Sequence, residues 1–331
     1  MIASEKVLDR IEQSFLIFKM AFVYLVLPLF VYNIVSFIFI TSVIYYLIFS
    51  GVLISLADLL SYNNFFLFFS NPKFVILSTL SLFFLLLYVL IFIPFLIYTI
   101  KTIRDFYNGE VKIDFKSNFL YATSRFFDIM KTYWYIFAYL ALIPSIIFII
   151  GGVIFNVGYF YDLQFDYKMI GGAFMLTGFL LFIVNMIYRG IKSTFALYSA
   201  IDNDLYTKED FLKSVSITNK NWWRIFGNLV LIGLIVGLLS GIASNFFSIF
   251  FGSFGDFSNI DFENINTVAI QSFIDQFSFF NYFVSGFFEN LIKTIGSVFI
   301  YIFIYVFYKR LVFESNNISN IEEIEKKEKE L

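Results

Sequence analysis

The chain has 331 residues, 60% of them hydrophobic and only 15% charged, with a formal net charge of −2. An ordinary soluble domain holds roughly 45–50% apolar and about 25% charged residues, so a soluble fold is excluded, and a near-neutral balance gives no electrostatic reason to expect nucleic acid. Cysteine and histidine are both absent, which removes disulfides, thiolate nucleophiles, sulfur-ligated metals and the commonest general acid–base residue.

In chain order, the N-terminal MIASEKVLDRIEQSF is mixed in charge and amphipathic, so no cleaved signal is expected and the first span itself directs insertion. Val7, Ile11, Phe15, Phe18 and Phe22 line one face of a helix, with Asp9, Arg10 and Glu12 on the polar face. The uncharged run 20–57 predicts a first span over about 20–48. The stretch 49–70, containing SYNNFFLFFSNP, is expected along the outer interface, and a second span is predicted over 74–100. A second amphipathic phrase follows, with Phe115, Phe119, Ala122, Phe126, Ile129 and Tyr133 on its apolar face and Lys116, Arg125 and Asp128 on its polar one. Spans three and four are predicted over 132–157 and 169–190. The third phrase has Phe211, Val215, Thr218 and Trp222 against Asp210, Lys213 and Asn219, and Thr207 to Asp210 ahead of it reads as a capping box. Spans five and six are predicted over 223–250 and 286–308, and the charged tail from 314 to 331 is expected to be frayed or disordered.

Basic residues set the orientation. Twenty of the 23 Lys and Arg fall in four clusters, around 6–19, 101–131, 189–224 and 309–331, while the alternate gaps hold Asp58, Asp162, Asp166, Asp256, Asp261, Glu263, Asp275 and Glu289. The positive-inside rule then places both termini in the cytoplasm, with six crossings. The expected fold is an all-α integral membrane protein, six transmembrane helices built as three repeats of an amphipathic interfacial helix plus a helical hairpin. One polytopic domain covers 1–313, with repeats 1–110, 111–206 and 207–313.

Each amphipathic helix ends in a Lys with an aromatic three residues on: Lys19 with Phe22, Lys131 with Trp134, Lys220 with Trp223. A lysine snorkels to the phosphates while the ring settles at the glycerol level, so these residues, together with Trp222 and Arg224, are expected to anchor the chain at the interface. Gly233, Gly237 and Gly241 form two overlapping GxxxG steps, a face for packing inside the chain or for a second copy. Glu289 and Lys293 fall inside span six at i,i+4 spacing, where they can pair. Asn33 and Asn185 are expected to join helices by hydrogen bonds. The outer segment FGDFSNIDFENIN lacks the spacing of a calcium loop and is read as solvated acid.

The stretch KEDFLKSVSITNKNWWRIFGNLVLIGLI resembles a pattern in prokaryotic six-span proteins: the membrane domains found with some glycerophosphodiester phosphodiesterases, and stand-alone relatives such as the YciC-like proteins. The resemblance covers the whole chain in layout and about 30 residues in motif. It implies a membrane-resident accessory or transport-like module of a prokaryotic cytoplasmic membrane. It carries over no phosphodiesterase activity, because such a barrel takes roughly 250 residues and no such stretch stands in this chain. The expected function is non-catalytic, with no cofactor or metal: a module that organises lipid or holds a partner. Its partners are membrane lipids, with a protein partner or a second copy possible and no nucleic acid. A transporter or lipid translocase is the alternative.

Overall fold

The computed structural model describes residues 7–49, 72–110, 113–160, 165–204, 206, 208–251 and 279–330, and its regular structure is entirely α-helical. The helices are α1 (Val7–Phe49), α2 (Pro72–Tyr107), α3 (Phe115–Ser124), α4 (Phe126–Leu140), α5 (Leu142–Phe160), α6 (Phe165–Ser193), α7 (Ala196–Asn203), α8 (Lys208–Asn219), α9 (Trp222–Phe251) and α10 (Phe279–Glu330). Four stretches among the described residues are long and apolar enough to cross a membrane: Asp9–Phe39, Met169–Asn203, Trp222–Ala243 and Gly286–Asn316. A fifth counts if α4 and the following Leu142–Phe155, bent by 62°, act together.

Several expectations change. Span one and its amphipathic lead are a single helix, because nothing between Lys19 and Phe22 disfavours helix. The tail from 314 continues α10 as far as Glu330 instead of fraying. The capping role of Thr207, the interfacial stretch 50–70 and the acidic segment around Asp256 lie outside the described residues.

The break between α4 and α5 has a local cause. Pro144 has no N–H to offer the carbonyl four residues back, that of Leu140. Helix α6 makes up the loss: Asn185 Nδ2 donates to Leu140 O at 3.2 Å, and Arg189 Nη1 donates to Tyr139 O at 2.8 Å. One turn of α6 thus satisfies the end of α4. Asn185 joins helices as the sequence predicts, and Asn33 does so too, donating to Thr294 Oγ1 of α10 at 2.7 Å.

The chain divides into two compact units. The first comprises Met1–Ile17, Ile100–Ile232 and Tyr301–Leu331. Its core is the stretch of α10 from Ile302 to Tyr308 against Phe195, Tyr198 and Ile201, with Phe195 meeting the rings of Phe307 and Tyr308 at 6.0 and 5.7 Å. Helix α8 lays Phe211 on Tyr139, 5.4 Å between ring centroids, and Ser214 donates to Lys192 O at 3.2 Å. The α5–α6 hairpin also belongs here.

The second unit comprises Phe18–Thr99 and Gly233–Ile300. Helix α1 meets α2 through the Tyr98 hydroxyl, which donates to Tyr24 O at 2.9 Å, and meets α10 through Phe30 on Phe287 at 5.2 Å. Val236 and Ser240 of α9 pack on Gly296 of α10.

Close helix approach uses glycines other than the expected ones. A methyl built on Gly171 would lie 2.5 Å from Phe155 N, and one on Gly178 would lie 2.8 Å from Phe148 N, so α5 and α6 touch backbone to backbone. No described atom lies within 4 Å of a methyl built on Gly233, Gly237 or Gly241. These three glycines are exposed, so no described residue packs closely on them. Gly178→Ala is therefore expected to destabilise by about 1–3 kcal/mol through overpacking, while Gly237→Ala leaves the melting temperature of the detergent-solubilised monomer unchanged or slightly raised. Thermal melting of the two variants side by side checks this.

Candidate functional site

Helix α7 ends with carbonyls that have no donor of their own. Arg104, near the end of α2, supplies one: its Nη1 donates to Ile201 O at 2.5 Å and to Asp204 Oδ2 at 3.1 Å. Asp204 closes α7 in the left-handed region, φ 52°, which a short polar side chain tolerates better than most. Its other carboxylate oxygen accepts from the Tyr121 hydroxyl of α3. With that proton committed, Tyr206 is the donor in the 2.7 Å bond between the two phenols. Lys101, Arg104 and Arg125 stand 5.6, 6.0 and 6.0 Å from the centre of the Tyr121 ring, within cation–π range. Burial, and then Asp204 and Tyr206, push the Tyr121 phenol well above its ordinary pKa, and burial raises Tyr206 as well.

The neighbouring carboxylates are engaged in the same way. Asp105, buried, pairs with Lys101 one turn earlier and accepts from Asn118 Nδ2 at 3.0 Å. Asn118 also donates to Thr102 Oγ1 at 3.2 Å, which ties α3 onto α2. Asp202 accepts from the Tyr305 hydroxyl at 2.8 Å and from Lys309 Nζ at 3.0 and 3.1 Å. Asp210, at the start of α8, accepts from Asn203 Nδ2 at 2.9 Å. Carboxylates held in this way by cations, hydroxyls and amides fix helices to one another.

A further cluster joins α1, α9 and α10. Arg224 grips Glu314 with both terminal nitrogens, at 2.6 and 3.1 Å, and Arg310 Nε donates to the same carboxylate at 3.1 Å. The guanidinium carbon of Arg10 stands 4.5 Å over the Phe307 ring, and that of Arg224 stands 5.9 Å from it. Arg10 is only 3% exposed, although the sequence pattern puts it on the polar face of its helix. Burial here follows Arg10, Ser14, Ile17 and Ala21, while Phe15 and Phe22 point outward. Against lipid the apolar face needs no cover, and small or polar residues make the protein contacts.

The predicted anchors divide. Lys19, Lys131 and Lys220 are exposed, as are Phe22, Trp134 (61%) and Trp223 (77%). Trp222 and Arg224 are not free anchors: the Trp222 indole donates to Tyr188 O at 3.0 Å and stacks on Phe226, and Arg224 is bound to Glu314. Glu289 and Lys293 do pair, at 2.5 Å, with the lysine side chain 62% exposed. The apolar faces of α3 and α8 are partly covered by protein, since Ala122, Phe211, Ile217 and Thr218 are buried. The Arg104–Asp204–Tyr121–Tyr206 network was invisible to periodicity. The one signal for it was the tyrosine and arginine content of the segments that follow the apolar runs 74–100 and 169–188.

Raised phenol pKa values have a definite consequence for stability. The contribution of the neutral phenols is whole below pH about 10, their ordinary pKa, and is lost as the pH climbs toward the raised folded values. Tyr121→Phe is expected to cost about 1–3 kcal/mol at neutral pH, by removing the hydroxyl that Asp204 Oδ1 and the Tyr206 hydroxyl share, and to flatten the alkaline loss. Melting curves of both proteins between pH about 8 and about 11 measure the two effects; parallel curves would mean that Tyr121 does not titrate within the folded network.

Compared with family models, with curated proteins and with solved structures, the chain finds no match.

Proposed function

We propose that the chain is a non-catalytic, six-span protein of the cytoplasmic membrane that organises lipid around itself, built from three tandem units of amphipathic helix and hairpin with both termini in the cytoplasm. One observation carries the repeat. Counting from Lys19, Lys131 and Lys220, the residue nine back is buried each time (Arg10, Ala122, Phe211) and so is the residue two back (Ile17, Ile129, Thr218). The lysine itself and the aromatic three on, Phe22, Trp134 or Trp223, are exposed each time. Three segments of dissimilar sequence thus share one rotational setting. That supports a common orientation at one membrane face, with the outward ring at headgroup depth.

Helix α2 supplies the sixth span in this reading: the uncharged run 74–100 lies inside one 36-residue helix, longer than the roughly 20 residues a crossing takes. The bent pair α4–α5 supplies the third. The lipid-organising role rests on the exposed apolar faces of α5, α6 and α9, where Ile149, Leu176, Leu180, Leu238 and Ile242 project outward. The likeness to the six-span membrane domains points the same way.

A second reading, a transporter or lipid translocase, draws on Glu289 and Lys293, a charged pair within the apolar stretch Gly286–Asn316. Reconstitution into liposomes carrying a fluorescent lipid separates the two. The lipid-organising reading expects no more lipid exchange between leaflets than in empty vesicles, with slowed lateral diffusion near the protein. Rapid scrambling that Lys293→Met abolishes would replace it with the translocase.

The orientation has its own check, which the absence of cysteine makes simple. Single cysteines at Ser117 and Ser216, both exposed, are expected to escape an impermeant thiol reagent in intact cells, and cysteines at Ser61 and Ser258 to react. Labelling at Ser117 from outside would invert the topology.

A further inference from the structure

The buried carboxylates Asp105 and Asp210 and the half-buried Asp202 all have donors. Arg10 is the opposite case. Its guanidinium is buried against Phe307, and Nε and Nη1 have no hydrogen-bond partner among the described residues. The charges acting on it most are those of Arg224 and Glu314, followed by that of Asp9, which is exposed. A buried cation without an acceptor is costly unless something answers it. The half-buried carboxylate nearby, Glu314, is already held by Arg224 and Arg310. Arg10 therefore stands beside a carboxylate whose oxygens two other guanidinium groups already hold.

We propose that Arg10, Arg224 and Arg310 form a binding site for a phosphate-bearing anion, and that Glu314 fills the site in its absence. Phosphate suits the arrangement better than a second carboxylate, because a tetrahedral anion offers acceptors in several directions and carries more charge than Glu314. The entrance lies on the Arg224, Arg310 and Glu314 side, where the side chains are partly exposed (37%, 27% and 26%). Phe307 backs the site as a fixed wall: its ring is fully buried, with the guanidinium carbons of Arg10 and Arg224 at 4.5 and 5.9 Å from its centre. An entering phosphate displaces the Glu314 carboxylate from Arg224 and gives Nε and Nη1 of Arg10 their acceptors. The inference deepens the lipid-organising reading and rests on it only for the source of the phosphate, a lipid headgroup or the free ion.

The test uses the full-length protein. In detergent, inorganic phosphate at about a hundred times its dissociation constant is expected to raise the melting temperature by about 5 °C, with chloride at matched ionic strength as the control. Arg10→Met should fold, since it removes an unanswered buried charge, and should lose the phosphate response. Glu314→Gln should bind phosphate about tenfold more tightly, because the competing carboxylate is gone; it also covers the case in which Arg10→Met does not fold. In nanodiscs of phosphatidylcholine alone or with phosphatidic acid, a rise that needs the anionic lipid and Arg10 identifies the headgroup as the source. A response to free phosphate without one to phosphatidic acid keeps the site and makes the free ion its ligand, leaving the lipid-organising reading to the liposome assay. An equal shift with chloride, no shift with either phosphate source, or weaker binding in Glu314→Gln would overturn the inference.

Discussion

A peptide carbonyl or a charge drawn into hydrocarbon has no water to answer it, so each must find its partner within the chain. The bend between α4 and α5 puts that constraint in one place. Pro144 deprives Leu140 O of its donor, and the neighbouring helix offers Asn185 and Arg189, one turn apart, to two consecutive carbonyls. The α5–α6 hairpin is then closed by Gly171 and Gly178, which let the backbones come together. Both devices do the same work: α6 approaches closely enough for its polar side chains to reach the broken end of α4. Without the glycines the amide of Asn185 would stand too far off; without the amide the bend would leave an unsatisfied carbonyl.

Much of this was legible in the sequence, and what was not had physical causes. Uncharged runs marked the apolar helices, and Asn33 and Asn185 were rightly read as links between them, because a lone amide in an apolar run has few other uses. The pairing of Glu289 with Lys293 followed from their i,i+4 spacing. The bend at Ala141 was not read, although Pro144 stood in view, because proline is common in membrane helices and often leaves them whole, as Pro28 and Pro94 do here. The glycines that the described helices pack on, Gly171 and Gly178, lie on α6, whereas no described atom comes within 4 Å of a methyl built on Gly233, Gly237 or Gly241. Spacing identifies a face that can pack closely, whereas whether a neighbour arrives there depends on the chain path.

The amphipathic phrases taught something less expected. In α1 the apolar stripe of the interfacial helix, Ile11, Phe15, Phe18 and Phe22, is half-exposed or exposed, and the buried stripe runs through Arg10, Ser14, Ile17 and Ala21. In α8 part of the apolar stripe, Phe211 and Thr218, is covered by protein, and so is Asp210 from the polar face. The moment of a helix points toward the less polar surroundings. In a membrane these need not be the protein, so a sequence pattern fixes the rotation of the helix while leaving open which side the protein occupies. The site residues Arg10 and Asp210 were missed for this reason alone.

Helix α10 shows how few residues can meet both demands. Between Tyr305 and Glu314 it supplies the hydroxyl and the ammonium that hold Asp202, the ring against which Arg10 and Arg224 lie, and the carboxylate that Arg224 and Arg310 share. Tyr305 and Lys309 are one turn apart, and so are Arg310 and Glu314, so the two functions fall on different faces of the same three turns. The Asp202 face is complete, with donors matched to acceptors. The Glu314 face is not, because Nε and Nη1 of Arg10 have no acceptor among the described residues. Complete pairing on one face fixes the helix in place, and a fixed helix can hold an incompletely paired face open to a ligand. A site that must admit an anion gains from this division, since its vacancy is carried by a helix that other contacts already secure.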